Sequence, residues 1–162
     1  MHFKKGKVIF GQRDTFSLHS ILSQVILAGM VKFKETINKD NGLRKGVPAE
    51  VSIYMRDQGL ITQEDYSGLS DESYTKCGEY YDYVIDEILY AFDESNEPDI
   101  GNYDFSYKRL TGEPDEDGLR PFKLDCTNDE EKERYSSDMK DYKVRCDKGR
   151  ELFAKYYNTL WW

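Results

Sequence analysis

The sequence has few of the residues on which most catalytic and metal sites depend. It contains two histidines and three cysteines among 162 residues, and no two cysteines form a CxxC pair. Zinc sites need clustered thiolates or imidazoles, and nucleophilic hydrolases need a base beside the nucleophile. Neither GxGxxG nor GxxxxGKS/T occurs, so the glycine-rich loops that bind phosphate are missing. We expect reduced cysteines, no metal, no cofactor and a role other than catalysis.

Long apolar runs and an excess of basic residues are missing as well. The most apolar stretch, residues 18–31, contains His19 and Gln24 and is shorter than the roughly 20 residues that span a bilayer. The opening MHFKKGKVIFG has too short an apolar run for a signal peptide. Thirty-one acidic residues against 23 basic ones give a formal charge of −8, the wrong sign for free duplex-DNA binding. We expect a cytoplasmic protein without a membrane segment, and an acidic surface that mimics nucleic acid is an open alternative.

Helical periodicity is what the sequence does contain, in three long segments. The first, RDTFSLHSILSQVILAGMVKFKE, begins near Asp14 or Ser17 as N-cap and is predicted to be central and covered on most sides. The second includes YYDYVIDEILYAFDE and is predicted to begin after a cap at Ser70. Two adjacent apolar stripes mark the first helix: Leu18, Ile21, Leu22, Val25 and Gly29 form one, and Ile26, Met30, Phe33 and Ile37 form the other.

The third long helix is predicted to begin at a capping box formed by Thr127 and Glu130. It should pack lengthwise along the other two, with Trp161 closing the end of the bundle and Trp162 exposed. Its heptad seam is also compatible with self-association into a homo-oligomer. The seam consists of Tyr135, Met139, Tyr142, Cys146, Gly149, Phe153, Tyr156 and Leu160.

The remaining segments complete a mainly α fold with a single domain over residues 1–162. Residues 1–13 are predicted to form an N-terminal arm with a short strand at 7–10, and residues 49–58 a short extra helix. Residues 96–126 hold three of the four prolines and no sustained period. We predict a three-long-helix bundle with an irregular, β-containing insertion around 96–125, its short strands near 103–107 and 122–124.

Basic and aromatic residues suggest one kind of binding site. Several Lys and Arg residues lie on or beside the predicted long helices, and the chain has 13 tyrosines. Arginine forks onto phosphate, and an aromatic ring stacks on a nucleobase, so convergence of the two would make a nucleotide pocket. Ordinary surface solubilisation is the alternative. The candidate ligand-binding residues are Arg13, Lys32 and Lys155 for phosphate and Tyr90 and Tyr157 for stacking.

Carboxylates at helical spacing suggest a different site. Glu79, Asp82 and Asp86 share one helix face, and Glu130 and Glu133 form an ExxE on another helix. Helical nucleotide pyrophosphohydrolases hold magnesium with carboxylates so spaced, and magnesium prefers oxygen ligands. The alternative is a solvated acidic face.

Four separated blocks, DTFSLHSILSQVILAGMVKFKE, GVP, YVIDEILYAFD and GRELFAKYYNTLW, resemble a widespread family of small uncharacterised tailed-phage proteins. The shared pattern is Asp-x-Phe-Ser-Leu near the start and Leu-Phe-x-Lys-Tyr-x-x-x-Leu-Trp near the end. His19 stands where the family has an acidic residue, and Tyr83 near where it has a tryptophan. The resemblance implies a phage origin, a mostly helical fold and a location in the host cytoplasm, and it implies no particular reaction.

Three functional hypotheses follow. The leading one is a phage-encoded, non-catalytic binding protein that sequesters a nucleotide-type host immune signal. The alternative is an acidic interaction protein that inhibits a host enzyme or mimics nucleic acid. The third is a magnesium-dependent nucleotide hydrolase that uses Glu79 and Asp82. The expected partner is a small nucleotide-type ligand or a host protein.

Overall fold

The structure is a computed structural model that describes residues 2–4, 7–9, 17–39, 46–62, 69–111, 113, 122–126 and 128–160. The fold is mainly α, with three long helices and a short one, as predicted. Two β-hairpins accompany them. The helices are α1 (Leu18–Lys39), α2 (Ala49–Asp57), α3 (Asp71–Phe92) and α4 (Asp129–Tyr156). The strands are β1 (His2–Lys4), β2 (Lys7–Ile9), β3 (Tyr107–Thr111) and β4 (Phe122–Cys126).

The chain divides into two compact units, and α4 contributes residues to both. Unit 1 consists of Met1–Ser95 with Arg145–Trp162, and unit 2 consists of Asn96–Val144. The prediction of one helical domain over the whole chain stays a prediction.

The core of unit 1 is aliphatic and centres on α3. Val84, Ile85 and Ile88 are fully buried, as the spacing of apolar residues in this helix predicts. Each such side chain contributes roughly 1.5–3 kcal/mol on burial. The predicted cap is also present, because the Ser70 hydroxyl accepts a hydrogen bond from the Ser73 N–H at 3.2 Å. The helix therefore begins where a side chain satisfies one of its free N–H groups.

One of the two apolar stripes of α1 faces the core, and the other faces outward. Met30 and Ile37 are buried, whereas Leu18, Leu22 and Val25 are 40%, 43% and 41% exposed. The prediction that α1 is covered on most sides is therefore wrong. Two adjacent stripes show that a helix is apolar, but they do not show how many neighbours it has.

Unit 2 is organised by aromatic contacts and hydrogen bonds at the start of α4. The ring centroids of Tyr103 and Phe105 lie 5.0 and 5.6 Å from that of Tyr135. The Glu131 carboxylate accepts a hydrogen bond from the Asp104 N–H at 3.0 Å. The Tyr103 hydroxyl donates to Asp138 at 2.7 Å. These contacts attach the segment before β3 to the first half of α4.

The N-terminus of α4 differs in detail from the prediction. The side-chain oxygen of Asn128 accepts a hydrogen bond from the Glu131 N–H at 3.4 Å, so Asn128 acts as the cap. Thr127, half of the predicted capping box, lies outside the described residues. The cap sits one residue later because asparagine is a better N-cap than threonine.

The strands of the insertion are only partly as predicted. β4 includes the predicted residues 122–124, but β3 begins at Tyr107, where the predicted strand ends. Residues 103–105 instead follow a 3₁₀ turn, Ile100–Asn102, and supply aromatic contacts. β3 and β4 pair antiparallel with Arg109 opposite Leu124, and β1 and β2 with Phe3 opposite Val8.

The residues of the heptad seam are buried or half-buried throughout, but the described contacts with α3 come from the second half of α4, so the predicted packing along the other two long helices is not seen over its whole length. Cys146, Gly149 and Tyr156 are buried, and the other five seam residues are half-buried. Tyr135, the first residue of the seam, packs on Tyr103 and Phe105 of unit 2. Trp161 and Trp162 lie outside the described residues.

Candidate functional site

The described candidate residues have four different neighbours. Lys32 is exposed on α1, with its Nζ 3.4 Å from the Glu35 carboxylate. Tyr90 lies beneath the guanidinium of Arg145, with 3.7 Å between the Arg145 Cζ and the ring centroid. The other two candidates are Lys155, at the end of α4, and Tyr157, in the turn that follows it.

Lys155 has its Nζ 3.9 Å from the ring centroid of Tyr54. Tyr157 is 49% exposed, and its ring meets that of Phe153 edge-on at 5.6 Å. Arg13 lies outside the described residues. Of the predicted site residues, Lys155 is the one placed in a larger cluster of aromatic and cationic side chains.

That cluster is built by α2, α3 and α4 within unit 1. Tyr80 stacks on Tyr54 with 5.1 Å between ring centroids, and Tyr83 follows at 6.0 Å from Tyr80. The Nζ of Lys148 lies 5.1 Å from the ring centroid of Tyr83, at the opposite end of the row from Lys155. We call Tyr54, Tyr80, Tyr83, Lys148 and Lys155 the tyrosine–lysine cluster.

Both ammonium groups of the cluster are available to an anion. In the described part of the chain, neither Lys148 nor Lys155 has a carboxylate oxygen within 4.0 Å. Hydrogen bonding with Tyr83 raises the pKa of Lys148 above its ordinary value, so this side chain is charged at neutral pH. Each ammonium has three N–H donors, and an aromatic face does not engage them all.

A buried phenol lies behind the row. Tyr156 is fully buried, and its hydroxyl has no hydrogen-bond partner within 3.5 Å in the part of the chain that the structure describes. Burial, followed by the nearby Tyr156 phenol, strongly raises the pKa of Tyr80. Tyr80 is therefore a neutral aromatic surface at neutral pH.

Arg145 and Glu87 form a second arrangement on the same two helices. Glu87 is only 7% exposed, and its carboxylate accepts three hydrogen bonds from Arg145 at 2.8, 3.1 and 3.1 Å. Glu87 binds the edge of the guanidinium, and the Tyr90 ring stacks against its face. Arg145 therefore pairs with this buried carboxylate, and the charge of Glu87 also contributes to the raised pKa of Lys148.

Gly149 explains how the two helices come so close. A Cβ at this position would lie 2.3 Å from the Glu87 carbonyl oxygen and 2.5 Å from the Ala91 Cβ. Only a glycine fits this contact between α3 and α4. The close approach brings Arg145 and Lys148, on neighbouring turns of α4, onto α3.

The carboxylates proposed for magnesium do not form a cluster. Asp86 forms an ion pair with Lys34 of α1. Among the described residues, no three His, Cys, Asp or Glu side chains lie close enough together to hold a metal ion. The hydrolase hypothesis needs Glu79 and Asp82 to face carboxylates of the last helix, and this geometry gives it no support.

An open groove of about 440 Å³ lies along α1, on a face separate from the exposed stripe of Leu18, Leu22 and Val25. It is largely apolar, with Lys32 and Glu35 at one end. Its described lining consists of Gln24, Leu27, Ala28, Val31, Lys32 and Glu35. In the described part of the chain, α1 and the other helices are too short or too polar to cross a membrane.

Sequence reasoning missed the three tyrosines of the cluster. Tyr83 and Tyr90 lie three and ten residues after Tyr80, so all three share one face of α3. This spacing could have predicted the tyrosines of α3 as neighbours. Tyr54 carried no such signal, because it comes from α2 and meets the row only through packing between helices.

No protein-family model, curated protein or solved structure matches this chain. The resemblance to tailed-phage proteins therefore stays a prediction.

Proposed function

We propose that this chain is a non-catalytic binding protein that holds a nucleotide-type ligand at the tyrosine–lysine cluster. The observation that carries the proposal is the pair of lysines, Lys148 and Lys155, positioned over tyrosine rings without a carboxylate within 4.0 Å among the described residues. The protein has a formal charge of −8, so two exposed ammonium groups without a carboxylate partner in the described part of the chain are a candidate site for an anion.

The chemistry of the cluster fits both parts of a nucleotide. Ammonium groups donate charge-assisted hydrogen bonds to phosphate oxygens, which are stronger than hydrogen bonds between neutral groups. A nucleobase stacking on an aromatic side chain contributes roughly 1–3 kcal/mol. Tyr83 is 37% exposed, so its ring is the part of the row most accessible to a base.

The biological part of the proposal is sequestration. The resemblance of four sequence blocks to tailed-phage proteins, if it reflects kinship, favours a protein that acts in an infected cell. Tight binding without turnover would remove a host nucleotide signal there. Loss of that signal would suppress a defence response that depends on it.

Thermal unfolding against a panel of nucleotides tests the binding. A ligand at 100 times its Kd stabilises by about 2.7 kcal/mol, which corresponds to a Tm increase of roughly 5–10 °C for a chain of this size. Chromatography of the bound compound should recover it unchanged. A nucleotide panel without any shift contradicts the proposal.

Matched charge variants locate the site. We expect the double variant Lys148→Gln/Lys155→Gln to abolish the Tm shift while the protein keeps its helical circular dichroism. Lys140→Gln/Lys143→Gln is the control, because it removes the same charge from exposed positions on the same helix. Equal loss of binding in both variants would show a general charge effect and not a site.

A second function, inhibition of a host protein, is favoured by the outward face of α1. Leu18, Leu22 and Val25 expose apolar surface in a row, as protein interfaces do. Leu22→Glu/Val25→Glu should abolish capture of a host protein and leave any nucleotide-induced Tm shift unchanged. If the double variant still captures the host protein, this face of α1 has no role in partner binding.

A further inference from the structure

The two lysines of the tyrosine–lysine cluster are separated along α4. Lys148 and Lys155 are seven residues apart, two helical turns, which places them on one face about 10 Å apart along the axis. Lys148 lies at the Tyr83 end of the ring row, and Lys155 lies at the Tyr54 end. The row between them has centroid steps of 6.0 and 5.1 Å.

We infer that the ligand carries two phosphate groups on opposite sides of a nucleoside, so that one phosphate meets Lys148 and the other meets Lys155. This inference rests on the proposed function and deepens it. A contiguous di- or triphosphate concentrates its charge at one end of the nucleoside and would engage one lysine fully. A nucleoside with a phosphate on each side would engage both lysines and place its base beside the rings.

The surroundings of the row favour this arrangement. The three rings are phenols, and burial raises the pKa of the central one, Tyr80, so the ring row itself carries no negative charge at neutral pH. Glu87, a buried carboxylate of α3, is engaged by Arg145 through three hydrogen bonds.

Two isomers provide the test. Adenosine 3′,5′-bisphosphate and ADP have the same atoms and the same number of phosphates, but only the first has a phosphate on each side of the nucleoside. We expect calorimetric titration at low salt to show binding of the bisphosphate at least tenfold tighter than binding of ADP. A single charged hydrogen bond contributes enough free energy for roughly that difference.

Single variants show whether both ends are used. Lys148→Gln and Lys155→Gln should each weaken the bisphosphate roughly tenfold or more, whereas ADP should depend on only one of the two lysines. Both side chains are exposed, so the substitutions should leave the fold intact, and circular dichroism checks this.

The outcomes separate this inference from the proposed function. Equal affinity for the two isomers, or ADP binding tighter, overturns the two-phosphate inference and leaves nucleotide binding in place. Failure of the bisphosphate to bind, while another nucleotide shifts the Tm, also overturns it. If no nucleotide binds at all, the proposed function fails together with the inference.

Discussion

Unit 1 and unit 2 are stabilised by different interactions. In the described chain, every buried core residue belongs to unit 1, and most are aliphatic. Unit 2 has half-buried aromatic rings instead, together with hydrogen bonds from Asn128, Arg134 and Tyr103 to its own backbone and carboxylates.

The difference follows the composition of α4. Its first half is dominated by charged residues and offers Tyr135 and Tyr142 to its neighbours, whereas its second half offers Cys146, Gly149 and Tyr156 to a buried core. The free energy gained by burying aliphatic side chains grows with the buried area and does not depend on a precise geometry. A hydrogen bond needs a precise geometry and contributes only about 1 kcal/mol. One continuous helix can therefore contribute side chains to a well-buried aliphatic core in one unit and to a more polar, less buried one in the other.

The largest expected effect comes from truncating one residue in each unit. Ile88→Ala removes a fully buried side chain of unit 1 and should lower the free energy of unfolding by about 2–5 kcal/mol. Phe105→Ala removes a half-buried ring of unit 2 and should cost about 1 kcal/mol, because solvent already covers part of it. Urea denaturation measures the free energy of unfolding of both variants. Equal losses would show that the two units do not differ in how strongly they bury their side chains.

A smaller effect should distinguish two helical glycines of unit 1. Gly149→Ala should cost about 1–3 kcal/mol, because the new Cβ would lie 2.3 Å from the Glu87 carbonyl oxygen. Gly29→Ala is the matched control, since a Cβ there meets nothing within 4 Å, and should stabilise the helix by roughly 0.5–1 kcal/mol. Thermal unfolding of the two variants should shift in opposite directions, and a neutral Gly149→Ala would contradict the close helix contact.

The smallest expected effect concerns tyrosine ionisation at alkaline pH. Burial raises the pKa of Tyr81 in unit 1 to about 12, above the unfolded value of about 10. The stability from the protonated phenol is therefore fully present below about pH 10 and is lost as pH rises from 10 toward 12. Urea midpoints across this window should fall less steeply for Tyr81→Phe than for the parent.

Tyr103→Phe is the control from unit 2. The hydrogen bond to Asp138 raises the pKa of Tyr103, but this side chain is more open to solvent than Tyr81. We expect Tyr103→Phe to leave the alkaline slope nearly unchanged. A slope that depends on Tyr103 as much as on Tyr81 would show that unit 2 buries its aromatics as well as unit 1 does.

The sequence predicted local features better than neighbours. The buried face of α3 and the seam of α4 follow from residue spacing, and the Ser70 cap follows from side-chain chemistry. The cap of α4 was misplaced by one residue, because Thr127 and Asn128 are both good caps and helix ends vary by one or two residues. Spacing could not reveal that one apolar stripe of α1 faces outward, because that depends on how many elements pack against the helix.

The candidate site was harder to predict, for a related reason. Lys155 was identified as a cationic residue on a helix, but its neighbour Tyr54 is 101 positions earlier and reaches it only through the packing of α2 and α4. Tyr90 was expected to stack on a ligand, and it stacks on Arg145 instead. Pairings of this kind depend on long-range contacts, which periodicity does not encode.

The discontinuity of unit 1 has a consequence for folding kinetics. Hydrogen bonds within unit 2 join residues 24 to 35 positions apart, whereas Arg145 meets Glu87 across 58 positions and Tyr81 meets Thr159 across 78. Closing a longer loop costs more chain entropy, although only about 0.6 kcal/mol for each doubling. We expect the contacts of unit 2 to form early and shorten the loop that unit 1 must close. The weaker unit would then speed the assembly of the stronger one.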